Sequence, residues 1–258
     1  MARVFQNLRD VSGGGLRTMC TVSFIARKCG YLLAMNRDEK LSRVVGLPPK
    51  IVSAAGCRIV RPSEPSGGTW IALNDAGVTF ALINWYSIKA QVKSNPISRG
   101  GVVNSVSAQI LSVATSEILK KLPLTKINPF RLIGVFPAAE GIVEWRWDLK
   151  RLVRKKHPWR SQQFISSGFD EPMAQRIRSR TFRLALRHKS AGTLDWLRRL
   201  HRSHAPESGP FATCMHRADA ATVSYTEVAV SARAVRMRYH AVAPCEKPDK
   251  TGATFSLG

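Results

Sequence analysis

The amino-acid sequence predicts an α+β fold whose strands are mainly antiparallel. β-rich runs lie near both ends of the chain and the helical segments are grouped in the middle, an order typical of α+β proteins and not of alternating βαβ units. Two pairs of β-rich runs are joined by short turns and are predicted as hairpins. With 258 residues, of which 44% are apolar, the chain is long enough to bury a sizeable core.

The first hairpin is predicted from two apolar runs, Met19–Arg27 and Gly30–Glu39, on either side of a short break. Cys20 opens the first run, and the polar residues 36–39 close the second. Each strand advances about 3.3 Å per residue over a similar length, so Cys20 and the polar residues are expected at the same open end. A thiol beside a carboxylate, an amide and a guanidinium is a candidate nucleophile site. The alternative is a half-buried strand cysteine beside an exposed turn.

More β-structure is predicted after the first hairpin. Lys50–Val52 and Arg58–Val60 are short strand candidates. Thr69–Leu73 and Val78–Trp85 flank a turn that contains a glycine, and they are predicted as a second hairpin. Asn84 lies at the end of its last strand, where its side chain is either part of a site or a strand-end cap.

Three helical segments are predicted. The first follows a Ser-Arg-Gly-Gly stretch and runs for about five turns to Lys121, with apolar residues at helical spacing on one buried face. Asp170 is a candidate N-cap of the second helix, and Pro172 fits its first turn. The third helix covers residues 193–202. Most arginines of the last two helices are expected on a solvated face.

The remaining strands are predicted from alternation and β-propensity. Phe130–Val135 and Ile142–Trp147 are two strands, and the second alternates apolar and polar residues. Residues 149–156, rich in Arg and Lys, are expected to form a solvated edge. Residues 213–216, 221–231 and 235–242 are predicted as a closing antiparallel set.

The five cysteines are scattered and form no C-x-x-C pair. Cys214 and His216 lie at positions i and i+2 of a predicted strand and therefore face the same side, but no third ligand is evident from the sequence. We therefore predict neither a metal site nor a bound cofactor. An odd number of cysteines without a secretory signal indicates the reducing cytoplasm, and no apolar run reaches the roughly 18 residues of a membrane helix.

Three short motifs carry a resemblance to a known family. Met19-Cys20-Thr21 opens the first hairpin, Asn36-Arg37-Asp38-Glu39 closes it, and Gly67-Gly68-Thr69-Trp70 leads into the second. They resemble the NRDE family, also called the transport-and-Golgi-organisation-two family, and diffuse similarity continues to Cys245. The resemblance implies the fold of the N-terminal nucleophile hydrolases, a four-layer αββα sandwich of two mainly antiparallel sheets between helical layers.

The resemblance also suggests domain boundaries. Residues 19–245 would form a single NRDE-type domain and residues 246–258 a C-terminal tail. Residues 1–18 contain three consecutive glycines and no long apolar run. We expect them to be a disordered extension or an upstream start that is not used, so that translation begins at Met1 or at Met19.

The resemblance further implies catalytic roles. If the chain begins at Cys20, the α-amine of that residue, with an ordinary pKa near 8, can accept the proton of the thiol nucleophile. Asp38 would orient the amine. In the related choloylglycine hydrolases and penicillin V acylases, an asparagine at the end of the second hairpin helps form the oxyanion hole, and Asn84 has that position here.

Asn36, Arg37 and Arg180 are predicted to bind substrate. The first two belong to the polar residues beside Cys20. Arg180 lies in a segment that resembles a Ser-Arg-x-x-Arg stretch of the choloylglycine hydrolases, where an arginine helps shape the catalytic centre. Those enzymes also carry an asparagine after the preceding strand, whereas this sequence has Ser166-Ser167, so the resemblance does not extend to that second amide contact.

Two functions are therefore predicted. The first is hydrolysis of linear amides of the N-acyl type by Cys20 after its exposure. The second is a non-catalytic carrier of an amphipathic anion, because the NRDE family has been linked to haem movement and to lipid or acyl-coenzyme A balance. The expected partner is accordingly a small-molecule amide or an amphipathic anion such as haem.

The high positive charge raises a third possibility. A formal net charge of +23 and a pI of about 10.8 favour contact with polyanions such as nucleic acid, anionic lipid headgroups or phosphorylated metabolites. The simpler interpretation is that arginine-rich residue usage raises the pI without any partner. No DNA- or RNA-binding motif accompanies the charge, so nucleic acid is not an expected partner.

Overall fold

The computed structural model of the chain describes residues 19–246 and 253–257. Residues 1–18, for which the sequence predicts a disordered extension, lie outside the described residues. Two antiparallel sheets dominate the fold. The first sheet has the strand order β10-β1-β2-β11-β12-β13, and the second sheet has the order β3-β4-β5-β6-β7-β8-β9.

The strands of the first sheet come from both ends of the chain and from one segment in its middle. They are β1 Met19–Arg27, β2 Gly30–Lys40, β10 Gln162–Ser167, β11 Ala220–Val230, β12 Val235–His240 and β13 Ala253–Ser256. The strands of the second sheet follow one another along the chain. They are β3 Leu47–Ala54, β4 Cys57–Ser63, β5 Ile71–Asn74, β6 Thr79–Asn84, β7 Phe130–Phe136, β8 Gly141–Trp147 and β9 Leu152–His157.

The helices lie on the outer faces of the two sheets. The α-helices are α1 Gly100–Val106, α2 Ser112–Lys121, α3 Glu171–Ala185 and α4 Leu194–Arg202, and two short 3₁₀ turns span Leu124–Lys126 and Pro137–Ala139. Asp170 caps α3 by accepting a hydrogen bond of 2.9 Å from the Met173 N–H, and Thr193 caps α4 in the same way through Trp196. No helix in this part of the chain is long and apolar enough to cross a membrane.

The main core lies between the sheets. Residues two apart on a strand point to the same face, so Val22 and Phe24 of β1 meet Leu73 of β5 and Ile133 of β7 across the interface. Buried valines of α1 and Leu119 of α2 pack on the outer face of the second sheet, and Trp196 and Leu200 of α4 pack on the outer face of the first. These four layers confirm the predicted αββα sandwich.

Both predicted hairpins are confirmed, and the first has the predicted register. Cys20 pairs with Arg37 and Arg27 pairs with Gly30 across the turn. β1 is an inner strand because β10 pairs with its other side, where Cys20 is opposite Ser166. The basic segment before His157 forms β9, the exposed edge strand of the second sheet, as predicted.

The single long helix predicted up to Lys121 is wrong. Two helices, α1 and α2, are separated by residues 107–111. The Asn74 amide donates hydrogen bonds to the carbonyl oxygens of Ser107 at 3.1 Å and Gln109 at 3.2 Å, and these tertiary bonds replace those of a continuing helix. As a result Ile110 and Val113 are exposed instead of extending the buried face.

Two predictions near the C-terminus differ from the structure. Residues 213–216 do not form a strand and make only an isolated bridge between His216 and Ala221. Part of the segment predicted as a tail forms β13, in which Phe255 pairs with Met237 of β12. Tertiary pairing with a neighbouring strand decides both outcomes, and no local sequence pattern reports it.

Candidate active site

A cavity of about 300 Å³ opens where β1, β2 and β6 end together. Cys20 opens β1, Asp38 lies near the end of β2, Asn84 ends β6, and all three line this cavity. The common length of the hairpin strands carries their polar ends to the same place, as expected for antiparallel neighbours. The structure thus brings together the three residues to which the sequence analysis assigns catalytic roles.

The Cys20 thiol lies at the inner end of the cavity, and its residue is only 9% exposed. Burial raises the pKa of this thiol to about 12, and the neighbouring carboxylate of Asp38 raises it further than the guanidinium of Arg37 lowers it. As an internal residue, Cys20 is therefore a protonated thiol at neutral pH. It reaches a reactive thiolate only with the help of a base.

Asp38 is held by two buried side chains. The Thr222 hydroxyl donates a hydrogen bond of 2.6 Å to Asp38 Oδ1, and the Arg178 guanidinium approaches Oδ2 at 3.5 Å. Arg178 is fully buried and also donates to the Thr21 hydroxyl and to the Pro210 carbonyl. Burial raises the pKa of Asp38 to about 7, and the long contact with Arg178 offsets this only in part.

Arg178 is a site residue that the sequence analysis missed. The motif resemblance pointed to Arg180, but Arg180 is exposed on α3 and is not among the residues that line the cavity. The buried face of α3 carries Ala174, Arg178 and Phe182, which recur at helical spacing. An arginine in line with apolar residues three to four positions away is the sequence pattern that indicates it.

Asn84 contributes an amide to the opposite wall of the cavity from the second sheet. Its Nδ2 donates a hydrogen bond of 2.6 Å to the Tyr86 hydroxyl, which fixes the orientation of the amide at the end of β6. Ser166, opposite Cys20 on β10, has a buried hydroxyl without a hydrogen-bond partner among the described residues. The resemblance to the choloylglycine hydrolases would place a second asparagine at Ser166-Ser167. In this chain a serine hydroxyl is present there instead.

Asn36 does not line the cavity. Its side chain lies on the helix side of the first sheet, where its amide donates to the carbonyl oxygens of His201 at 3.0 Å and Thr213 at 2.8 Å. His201 Nδ1 lies 2.9 Å from Asn36 Oδ1 and Nε2 lies 2.8 Å from the Ser23 hydroxyl. Because an amide oxygen only accepts, Nδ1 carries the proton and Nε2 accepts from Ser23. Burial lowers the pKa of His201 to about 3, so the ring is neutral.

Arg37 lines the cavity but is already neutralised. Its guanidinium lies 3.1 Å from Glu39 and 3.0 Å from Glu64, and it stacks 4.4 Å from the centre of the Trp70 ring. Arg43 joins the same two carboxylates. Arg37 thus links the end of β2 to the loop after β4, and its charge is shared with two acids.

Arg99 also lines the cavity, but unlike Arg37 it is not paired with a carboxylate of the described residues. It precedes α1, lines the cavity, and donates to the Pro129 carbonyl at 3.3 Å. It forms no ion pair with a carboxylate of residues 19–246 or 253–257. Burial lowers the pKa of this guanidinium, so a negatively charged ligand group in the cavity would compensate the cost of burying it.

Comparisons with known proteins concern the family and the fold of this chain. Residues 19–143 match the model of the family described as Transport and Golgi organisation 2, which confirms the resemblance carried by the sequence motifs. No curated protein sequence matches the chain.

Solved structures of two other proteins are similar to this chain. The mutant C2A conjugated bile acid hydrolase from Clostridium perfringens is 7% identical, with a TM-score of 0.52 over 92% of this chain and 91% of that one. Penicillin V acylase from Agrobacterium tumefaciens is 11% identical, with a TM-score of 0.49 over 92% of this chain and 90% of that one. Over residues 19–143 this protein is thus similar to the Transport and Golgi organisation 2 family, and its fold is that of the N-terminal nucleophile hydrolases.

Proposed function

We propose that the chain is an N-terminal cysteine amidohydrolase that acts on linear amides of the N-acyl type once Cys20 is the first residue. One observation carries this proposal: Cys20, Asp38 and Asn84, from three different strands, line one cavity of about 300 Å³. A thiol, a carboxylate and a side-chain amide are the groups that such a reaction requires. A fold shared with a protein named conjugated bile acid hydrolase supports the same reaction class.

The proposed reaction has two halves. In the first, Cys20 Sγ attacks the amide carbonyl carbon, the thiol proton passes to the Cys20 α-amine, and the Asn84 amide and a backbone N–H stabilise the oxyanion. The C–N bond then breaks, the leaving nitrogen takes the proton, and the acyl group stays on sulfur as a thioester. In the second half, the α-amine deprotonates a water molecule, which hydrolyses the thioester and restores the thiol.

Asp38 is proposed to orient the α-amine through its carboxylate. Thr222 and Arg178 act on the reaction only through Asp38, since both contact its oxygens, and they are positioning residues. The pKa of Asp38, raised to about 7, makes its ionisation sensitive to pH near neutrality. Hydrolysis is therefore expected to increase as the pH rises through about 7.

Exposure of the Cys20 amine is the step on which this function depends. A peptide nitrogen has no comparable basicity, and the buried thiol, with a pKa raised to about 12, does not ionise unaided. Met19 is fully buried among Ile165, Ala174 and Met215. Removal of Met19 therefore leaves a cavity, and the protein that begins at Cys20 is expected to be less stable by about 2–5 kcal/mol.

The test compares the 258-residue chain with protein that begins at Cys20, and with Cys20→Ala and Cys20→Ser in the shorter form. Turnover of a panel of N-acyl amides is measured, together with the rate of alkylation at Cys20 located by peptide mapping. Only the shorter chain with Cys20 is expected to cleave amides and to alkylate rapidly. Cys29→Ala in the shorter form is the matched control and should keep full activity, because Cys29 lies at the exposed turn of the first hairpin.

Two results would contradict the proposal. One is equal turnover by the shorter chain and its Cys20→Ala variant. The other is an unchanged alkylation rate at Cys20 after its amine is exposed. The first of these results includes the case in which the form that begins at Cys20 is less stable than the 258-residue chain but hydrolyses no amide faster than its Cys20→Ala variant does.

A carrier function is the second candidate, and Arg99 is the observation that favours it. A cavity cation without a carboxylate partner among the described residues suits an amphipathic anion such as haem or an acyl-coenzyme A. Arg99→Gln is then expected to weaken binding of that anion at least tenfold. Arg154→Gln is the matched control, because Arg154 donates to the neutral Ser112 hydroxyl and forms no ion pair among the described residues, but lies on the exposed edge strand β9. Equal small effects of both variants would reject the carrier function.

A further inference from the structure

Four side chains that the cavity does not use converge at another place in the fold. They are His204, Cys214, His216 and Cys245, and one ligand atom of each lies within 4.8 Å of the other three. His204 follows the end of α4, Cys214 and His216 lie in the loop before β11, and Cys245 follows β12. Cys214 and His216 are two residues apart and can be paired from the sequence, whereas His204 and Cys245 join them only through the tertiary fold.

The distances within this four-residue cluster fit one tetrahedral metal ion. Zn²⁺ binds sulfur at about 2.3 Å and imidazole nitrogen at about 2.0–2.1 Å, so a nitrogen and a sulfur on one tetrahedron are about 3.6 Å apart. His216 Nε2 lies 3.6 Å from Cys214 Sγ and 3.2 Å from Cys245 Sγ. Both nitrogen–sulfur distances are therefore close to the separation of about 3.6 Å that two ligand atoms of one tetrahedral zinc ion would have.

Within the described residues, the side chains of the cluster include an unpaired imidazole nitrogen and two free thiols. His204 Nε2 is buried without a hydrogen-bond partner among the described residues, which is costly for an imidazole nitrogen. The His204 ring lies with its centre 5.1 Å from that of His216. Cys214 is fully buried, and no cysteine of the chain forms a disulfide. Metal coordination would satisfy the buried nitrogen and both thiols together.

We propose that His204, Cys214, His216 and Cys245 bind one Zn²⁺ ion. Two thiolates and two neutral imidazoles give a complex with no net charge, which suits a half-buried site. The two thiol protons are released to solvent when the ion binds. Four protein ligands complete a tetrahedron and leave no open position, which is the pattern of a structural zinc site and not of a catalytic one.

The bound ion would join three segments of the chain, which are the residues after α4, the loop before β11 and the residues after β12. The loop that carries Cys214 is already tied to the end of α4 by a hydrogen bond of 3.0 Å from the Cys214 N–H to the Ser203 carbonyl. The same loop lies behind Asp38, because the Thr222 hydroxyl that contacts Asp38 also accepts from the Met215 N–H at 2.9 Å. Zinc would therefore brace the wall behind the cavity without taking part in chemistry there.

The experiment measures zinc content by elemental analysis of the reduced 258-residue protein, as purified and after addition of Zn²⁺ and removal of the excess. We expect one zinc per chain in the wild-type protein and its loss in His204→Ala, Cys214→Ser and Cys245→Ser. Cys29→Ser and His188→Ala are matched controls, because both residues are exposed and distant from the cluster, and they should keep the ion. Replacement by Co²⁺ should give the visible bands of a tetrahedral site with thiolate ligands.

Three results would overturn the proposal. They are a wild-type protein that binds neither Zn²⁺ nor Co²⁺ after reduction, zinc content that all three ligand variants retain, and a native disulfide between Cys214 and Cys245. If the buried Cys214→Ser variant does not fold, the half-buried His204 and Cys245 variants and the Co²⁺ spectrum of the wild type still decide the question. None of these measurements depends on amide hydrolysis.

Discussion

Two buried ionisable residues, Asp38 and His201, respond to pH in opposite ways. Burial raises the pKa of Asp38 from 3.8 to about 7, so the folded protein binds a proton that the unfolded chain has lost. The free energy of unfolding therefore falls as the pH rises from about 4 to 7. The pKa of His201 is lowered from 6.5 to about 3, so its contribution increases as the pH rises from about 3 to 6.5. The two slopes offset each other.

Replacement of His201 should reveal the pH dependence of the free energy of unfolding that Asp38 contributes. His201→Gln removes the rising contribution and leaves that of Asp38, so the stability of the variant relative to wild type should fall with pH between about 4 and 6.5. The slope is at most about 1.4 kcal/mol per pH unit, the value for one proton. Urea denaturation across this range measures it. His188→Gln, at an exposed histidine, is the control, and parallel profiles of His201→Gln and wild type would contradict the expectation.

The catalytic candidates were predictable at this scale because they lie in local motifs at strand ends. Cys20, Asp38 and Asn84 each close or open a strand of a hairpin whose length is evident from the sequence. Arg178 was not found, because its role depends on how α3 rotates against the first sheet. The proposed zinc ligands were not found from the sequence for the same kind of reason: His204 and Cys245 reach Cys214 only through the tertiary fold.

Among the secondary-structure elements, α1 begins with its backbone packed directly against the backbone of Gly68 and Thr69, in the loop before β5. A β-carbon at Gly100 would lie 2.7 Å from Gly68 Cα and 2.8 Å from Thr69 N, whereas one at Gly101 would meet nothing within 4 Å. A clash with backbone cannot be relieved by a side-chain rotation. The first glycine of α1 is thus required by packing, and the second is not.

Alanine substitutions at these two adjacent glycines should therefore differ. Gly100→Ala is expected to lower the free energy of unfolding by about 1–3 kcal/mol and to weaken ligand binding, since Gly100 and Thr69 line the cavity. Gly101→Ala should be neutral or stabilise by up to about 1 kcal/mol, because alanine favours the helix. Thermal and urea denaturation of both variants measure the difference. Equal stabilities would show that the loop moves away freely.

Elements with regular alternation were predictable from the sequence, and interrupted ones were not. β8 alternates apolar and polar residues from Val143 to Trp147, and its position was predicted correctly, although its polar residue Glu144 is fully buried. The break between α1 and α2 has no such local cause, because Asn74 of the second hairpin accounts for it. Likewise, residues 253–256 pair with β12 although their composition alone indicates a tail.

At the scale of the whole molecule, a buried hydroxyl cluster is among the polar contacts that connect the two sheets. The Tyr31 hydroxyl of β2 lies 2.6 Å from the Thr79 hydroxyl of β6 and 2.7 Å from the Gly77 carbonyl. The side chains of Tyr31 and Thr79 are fully buried, so neither can replace the other partner with water. This contact ties β2 of the first sheet to β6 of the second within the mainly apolar core between them.

Removal of this contact should reduce stability in a non-additive way. Tyr31→Phe is expected to cost about 1–3 kcal/mol, because it leaves the buried Gly77 carbonyl without this donor and the Thr79 hydroxyl without this acceptor. The double variant Tyr31→Phe/Thr79→Val should cost less than the sum of the two single variants. Urea denaturation of the four proteins gives the coupling free energy. Strict additivity would mean that the two hydroxyls do not stabilise each other.

The position of Cys29 gives the first hairpin a practical use. Cys29 is the exposed cysteine of the chain and lies at the turn, whereas Cys20 lies at the opposite end of the same strand pair. At about 3.3 Å per residue, the two sulfurs are roughly 25 Å apart. A fluorescent dye attached at Cys29 would therefore stand within energy-transfer range of the cavity without touching it. The entry of a coloured ligand into the cavity could then be followed as quenching of that dye, at a distance set by the length of β1.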